Sequence, residues 1–345
     1  MGMREAPLAR GRTAMRRRSL AALLTIPLLL SACRGPQSTF TEGGIEATAV
    51  ADLFYWMLGG AVVIWLLVIG LSIYVTKTHA GAHSEKSGIR LIIWGGCVFP
   101  IVTLTVLLVF GLKLMPDFRA PAEGPTIAVS GERFWWRVFY DSPGEPGVAR
   151  SLPMEGIESA NELWLPVGRR TQILLGSPDV VHSFWVPSIA GKTDTIPGRV
   201  NRLVLEPTRE GLYNGVCAEF CGTAHAQMMF RVRVVSAADY DAYRAAQAEP
   251  AAVTTGEGLD AFLANGCAAC HTVRGTEAAG RVGPDLTHVG GRATIGAGIL
   301  AMNAENLARF IASTEHEKPG VQMPSFGALP QSEITAMATW LEALK

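Results

Sequence analysis

Two long runs of apolar residues restrict this 345-residue chain more than any other feature. Leu53 to Val75 contains no charged residue. At roughly 1.5 Å per residue such a helix crosses a hydrocarbon core of about 30 Å. The second run, Leu91 to Met115, carries only Lys113, close enough to its end for the amine to reach the interface. Two membrane spans, about 53–75 and 91–115, are therefore expected. The connecting loop holds Lys77, Lys86 and Arg90 against Glu85, which keeps it on the cytoplasmic side and sends everything after Met115 outside.

A shorter apolar stretch, Leu20 to Ala32, follows Arg16, Arg17 and Arg18 and ends in Leu30-Ser31-Ala32-Cys33. A positive region, a short apolar core and small residues before the cut describe an export signal over 1–33. The ending also resembles the bacterial lipoprotein cleavage box, which would leave Cys33 as a lipidated N-terminus.

The apolar fraction of 49% supplies cores for more than one domain outside the membrane. Thirty basic residues balance thirty acidic ones, so no basic face advertises nucleic acid as a partner. After a membrane hairpin spanning 34–118, the texture turns to short runs with turn punctuation, such as TIAVSGERFWWRVFY, ELWLPVGRRTQILLGS and MFRVRVVS. In the last, Phe230, Val232 and Val234 alternate with Arg231 and Arg233. Strands at this spacing predict an all-β sandwich or barrel over 119–237. An Ala-rich polar stretch reads as a terminal helix and linker over 238–256. The remainder, 257–345, is helical, with Ile334, Met337, Ala338 and Leu341 on one face of its last segment.

The densest chemistry lies in CAEFCGTAHAQM, with Cys217, Cys221, His225 and Met228 spaced C-x3-C-x3-H-x2-M and Glu219 between the thiols. Thiolate, thioether and imidazole together select copper. Two cysteines can bridge two ions, and a second copper needs another imidazole, which His182 in SPDVVHSFWVP supplies. A disulfide, or zinc on the two cysteines and His225, is the plainer alternative. Neither accounts for Met228 and His182.

SPDVVHSFWVP, KTDTIPGRVN and GLYNGVCAEFCGTAHAQM together resemble subunit II of cytochrome c oxidase over roughly Leu53 to Val235. The resemblance implies a cupredoxin domain holding a binuclear copper centre, CuA. Its bridging thiolates would be Cys217 and Cys221, with His182 and His225 one on each copper, Met228 a weak ligand, and Glu219 bound through its carbonyl. It also implies a magnesium ion near the Glu219 side chain at the boundary with subunit I. Phe134 stands where the family commonly has a tryptophan for electron uptake, so Trp135 and Trp136 read equally well as core residues. The family's glutamate at the start of the second span is absent, with Glu85 the nearest acid.

Cys267-Ala268-Ala269-Cys270-His271 is the C-x-x-C-H signature of covalent haem attachment, two thioethers and a proximal histidine. With Gly283-Pro284-Asp285-Leu286 and Gln322-Met323-Pro324 downstream, the segment resembles a class I cytochrome c, which implies Met323 as the distal ligand. Met302 and His288 lack the Met-Pro context. Cys97, in the second span, is expected to be an inert packing residue, and His79, His83 and His316 solvated.

Together the two resemblances imply the fused subunit II of a caa-type terminal oxidase in a bacterial inner membrane. Electrons would pass from haem c to CuA and on to the haem of subunit I, where oxygen is reduced to water and protons are translocated. Implied partners are subunits I and III, the lipid bilayer, and a donor such as a soluble or membrane cytochrome c or a quinol–cytochrome c reductase. A CuA subunit of a nitric-oxide or nitrous-oxide reductase and an anchored copper-delivery protein are the competing readings. The fused haem argues against delivery.

Overall fold

The computed structural model describes residues 35–78, 84–119, 122–143 and 151–345. The export signal over 1–33, Cys33, His79 and His83 lie outside them. Helix α1 runs Ile45–Ile73 and continues as a wider, i+5-bonded turn through Tyr74–Thr78. The second apolar run forms α2 (Glu85–Leu91), an i+5-bonded stretch around Gly95 and Gly96 (Ile92–Val98), and α3 (Phe99–Arg119). Over Ile45–Lys77 and Glu85–Met115 the helices are long and apolar enough to cross a membrane, and the apolar window of each is unburied within the chain. Such helices suit a lipid environment.

Both helices outrun the spans expected at 53–75 and 91–115, because apolarity marks only the part in hydrocarbon. The first turns of α1 clasp the sandwich instead: the Ile45 N–H donates to Glu206 O at 3.1 Å, and Ala47 and Ala51 are buried. Cys97 is exposed on its helix, so within this chain it is not the packing residue expected from sequence.

Ten strands follow. One sheet has the order β3-β2-β1-β5-β8, from β1 (Thr126–Glu132), β2 (Trp135–Tyr140), β3 (Ile157–Ala160), β5 (Thr171–Gly176) and β8 (Asn201–Leu205). The other is β4-β10-β9-β6-β7, from β4 (Glu162–Pro166), β6 (His182–Trp185), β7 (Thr193–Thr195), β9 (Gly211–Cys217) and β10 (Met229–Val235). Parallel pairing of β1 with β5 and of β10 with β4 interrupts the antiparallel ladders. Inward side chains of both sheets, including Trp136, Leu163, Ile173 and Phe230, fill the space between them. On β10, Phe230, Val232 and Val234 are buried, as the alternation predicts.

The stretch read as a terminal helix and linker opens with helix α4, Ala237–Ala248, capped by the Ser236 hydroxyl. Tyr240 joins the sandwich core and Tyr243 stacks on Trp164 with ring centroids 4.1 Å apart. The haem-signature segment then folds around α5 (Glu257–Ala264), α6 (Ala304–Ala312), α7 (Thr314–Glu317) and α8 (Gln331–Ala343), with a two-stranded ribbon, Thr294–Ile295 and Leu300–Ala301. Ile334, Met337, Ala338 and Leu341 of α8 are all buried. Helices α5 and α8 cross at Gly258, where a Cβ would stand 2.3 Å from Trp340 Cβ and 2.4 Å from Ala336 O. Only glycine permits that approach.

Candidate metal centre and haem site

Two adjacent strand ends and one loop build the first site. His182 opens β6 and Cys217 closes β9, with Phe184 opposite Cys217 in the ladder. The loop from Cys217 to β10 is pinned at its base by the Cys217 N–H, which donates to Met228 O at 3.0 Å. A tight turn at His225–Gln227 folds its far side inward. Cys217 Sγ thereby lies 3.9 Å from Cys221 Sγ, 3.9 Å from His182 Nδ1 and 3.2 Å from the Glu219 carbonyl. Cys221 Sγ lies 3.6 Å from His225 Nδ1 and 3.8 Å from Met228 Sδ.

Cys217, Cys221, His182 and Met228 are buried. Among the described residues, His182, Cys217 and Cys221 are the group of such donors close enough to share a cation. The donor set suits copper, and the unbonded thiols exclude the disulfide alternative in this structure. The Glu219 side chain is exposed, and no second carboxylate joins it in a cation-binding group among the described residues.

His182 has a partner that the sequence pattern does not announce. Its Nε2 lies 2.9 Å from Asp179 Oδ1, so with Nε2–H donating there, Nδ1 offers its lone pair towards Cys217. Burial opposes ionisation of Asp179, but bonds from His182 and from the Val180 and Arg133 N–H groups outweigh it and hold the carboxyl well below the usual carboxylate range. Burial likewise disfavours charge on His182, yet Asp179 and Cys217 raise its pKa. Burial pushes both thiols up. Bonds from His182 and backbone groups bring Cys217 below its ordinary value, while the neighbouring Cys217 sulfur drives Cys221 further up. A cation entering this cluster displaces those protons. The only signal for Asp179 was its place three residues before His182.

The second site is a cavity of about 320 Å³ lined mostly by apolar side chains. Cys267, Cys270 and His271 line it from one short segment and Met323 from a second, more than fifty residues later in the helical domain. The His271 Nδ1–H donates to Pro284 O at 2.8 Å, leaving Nε2 free. Burial lowers the His271 pKa despite that bond, which favours the neutral, ligating imidazole. Two free thiols at the mouth of an apolar cavity, a free imidazole nitrogen and a thioether fit a covalently attached haem. His288 is engaged by Glu249 O and Lys345 O and does not line the cavity; neither does Met302. His316 is exposed.

The two sites share a wall. Phe134 and Trp135 of the sandwich line the cavity alongside the haem-domain residues. The Phe134 ring also packs on the copper-site loop: a Cβ on Gly222, next to Cys221, would stand 3.0 Å from it. Trp136 is a core residue, edge-on to Phe230 and His182.

Residues 148–235 match the family described as cytochrome c oxidase subunit II, periplasmic domain, and residues 256–345 match cytochrome c. Cytochrome c oxidase subunit 2 of Alkalihalophilus pseudofirmus is 34% identical over 259 residues, covering 72% of this chain and 71% of the relative. The chain belongs to the cytochrome c oxidase subunit 2 family. The Bacillus subtilis subunit 2 is 28% identical and is aligned over 95% of this chain and 98% of its own length. The crystal structure of the periplasmic domain of subunit II from Bradyrhizobium japonicum is 25% identical, covering 37% of this chain and 96% of that one with a TM-score of 0.32. A subunit 2 sandwich and a cytochrome c domain thus follow two apolar helices in one membrane-protein chain.

Proposed function

We propose that this subunit 2 carries electrons from a haem c, held by Cys267, Cys270, His271 and Met323, through a binuclear copper centre held by Cys217, Cys221, His182, His225, Met228 and the Glu219 carbonyl. The acceptor is the haem of subunit I, in an oxidase that reduces oxygen to water and translocates protons. The two groups supply one-electron chemistry; the chain supplies fixed ligands, dry surroundings and a short separation. Asp179 orients His182, and the Pro284 carbonyl orients His271. The copper-ligand loop lies at the edge of the sandwich with Phe220 exposed, a surface suited to contact with subunit I. Subunit III and a cytochrome c or quinol–cytochrome c reductase complete the proposed assembly, in a bacterial inner membrane. Magnesium at Glu219 would need its other ligands from subunit I.

The observation carrying this reading is the placement of a buried sulfur–imidazole cluster and a haem-sized cavity on either side of Phe134. Metal analysis of the purified full chain tests it. Two copper and one iron per chain are expected, with mixed-valence copper EPR that Cys217→Ser abolishes while leaving the haem absorption intact. Zinc in place of copper would refute the assignment.

A further inference from the structure

Lys318 is only 2% exposed although no carboxylate pairs with it among the described residues. Its Nζ donates to three carbonyl oxygens, Phe134 at 2.7 Å, Gln227 at 2.9 Å and Gly296 at 2.7 Å. Three acceptors match the three N–H bonds of an ammonium group and exceed the two of a neutral amine. Phe134 and Gln227 belong to the sandwich, Gly296 to the haem domain that also carries Lys318. Phe134 is the shared wall of the two sites, and Gln227 sits between His225 and Met228 in the copper-ligand loop. Lys318 itself lines the haem cavity, five residues before Met323.

We propose that Lys318 is a positioning residue that latches the haem domain onto the copper domain, so that haem c addresses the copper centre from one fixed position. The functional part of this rests on the cofactor assignment above. A lysine bonded to carbonyls suits a latch because the turns that carry those carbonyls, each next to a strand, are fixed by the backbone, so the ammonium reports position and not side-chain conformation. Other bonds cross the same boundary. The Met229 N–H donates to Ala297 O at 3.1 Å, the Ala293 N–H to Glu162 Oε2 at 2.9 Å, and Gln227 Nε2 to Glu317 O at 3.1 Å. A buried arginine crosses it too: Arg137, held by Glu132 and Glu158, donates to the Arg281 and Val282 carbonyls at 3.0 and 3.3 Å. Lys318 differs in having no carboxylate partner among the described residues; burial lowers its pKa to about 7, while the three carbonyls around Nζ suit the ammonium form, whose hydrogen bonds are the strong, charge-assisted kind.

The test uses the full chain loaded with haem and copper, comparing wild type, Lys318→Met and Gln227→Ala. Hydrogen–deuterium exchange of peptides containing the Met229 and Ala293 amides reads docking without reference to either cofactor. Lys318→Met is expected to speed their exchange by about thirtyfold or more, the effect of leaving three buried carbonyl oxygens without their donor. Haem-to-copper transfer after pulsed reduction should slow at least about tenfold while the absorption of each centre stays unchanged. Gln227→Ala should leave exchange within about threefold of wild type. The latch is overturned if Lys318→Met exchanges and transfers as wild type does, if Gln227→Ala undocks the domains equally, or if Lys318→Met fails to retain haem, which would put the lysine's role inside the haem domain. Absence of copper absorption in the wild type would instead sink the cofactor assignment and leave the exchange result to judge the latch.

Discussion

Asp179 makes the sharpest test of how the copper site is held. Its Oδ1 meets His182 Nε2 at 2.9 Å, the Ser177 hydroxyl at 3.0 Å and the Val180 N–H at 2.6 Å, while Oδ2 accepts from the Arg133 N–H at 2.8 Å. Asparagine has one acceptor oxygen, so Asp179→Asn can satisfy the first three donors only by turning its NH2 towards the Arg133 N–H. That orientation preserves the His182 tautomer and forfeits one bond and the charge. Asp179→Ala removes every bond and lets the imidazole rotate. Loss of an outer partner of a metal-binding histidine typically costs 10–100-fold in affinity, about 1.4–2.7 kcal/mol. Asparagine should fall at the lower end and alanine at or beyond the upper end. Competition for copper against a chelator, followed by the copper absorption with the haem band as internal reference, measures both. Alanine retaining copper within about threefold of wild type would refute the claim that Asp179 sets the His182 geometry.

Gly258→Val should destabilise the haem domain by about 1–3 kcal/mol, since its side chain must displace Trp340 or the Ala336 carbonyl; thermal unfolding followed by the haem band reads this, and an unchanged midpoint would count against the close α5–α8 crossing. Glu158 contacts Arg137 at 2.5 Å, yet burial, opposed by that arginine and reinforced by Asp285, raises its pKa above the ordinary 4.5. A carboxyl raised on folding releases its proton first in the unfolded chain, so this contribution is full below pH 4.5 and is lost as pH rises through the folded value. Glu158→Gln should remove that decline, and parallel denaturation curves for both proteins across this window would contradict it.

Much of the site was legible because its chemistry is local. C-x3-C-x3-H-x2-M and C-x-x-C-H place their donors within one loop or turn, and the structure gathers them there. His182 came from a separate strand, and only its surroundings in SPDVVHSFWVP gave it away. Asp179 and Lys318 had no such signal. A carboxylate three residues from a histidine is commonplace, and a lysine looks solvated until three carbonyls from two domains surround it. The resemblance put Phe134 at the family's electron-uptake position near copper, but only the fold sets it between the copper loop and the haem cavity.

The order of amino acids alone determined the membrane helices, the β then α succession and the candidate metal ligands, since these depend on periodicity, charge and neighbours a few residues away. Only the tertiary structure decided how far α1 rises to grip the sandwich, that α4 packs on the sandwich, and that the haem cavity is closed by the copper domain. Those features depend on contacts between segments far apart in the chain, from Trp164 with Tyr243 to Phe134 with Lys318. Complementary surfaces brought together by folding create them, and no local pattern encodes which carbonyl a distant lysine will meet.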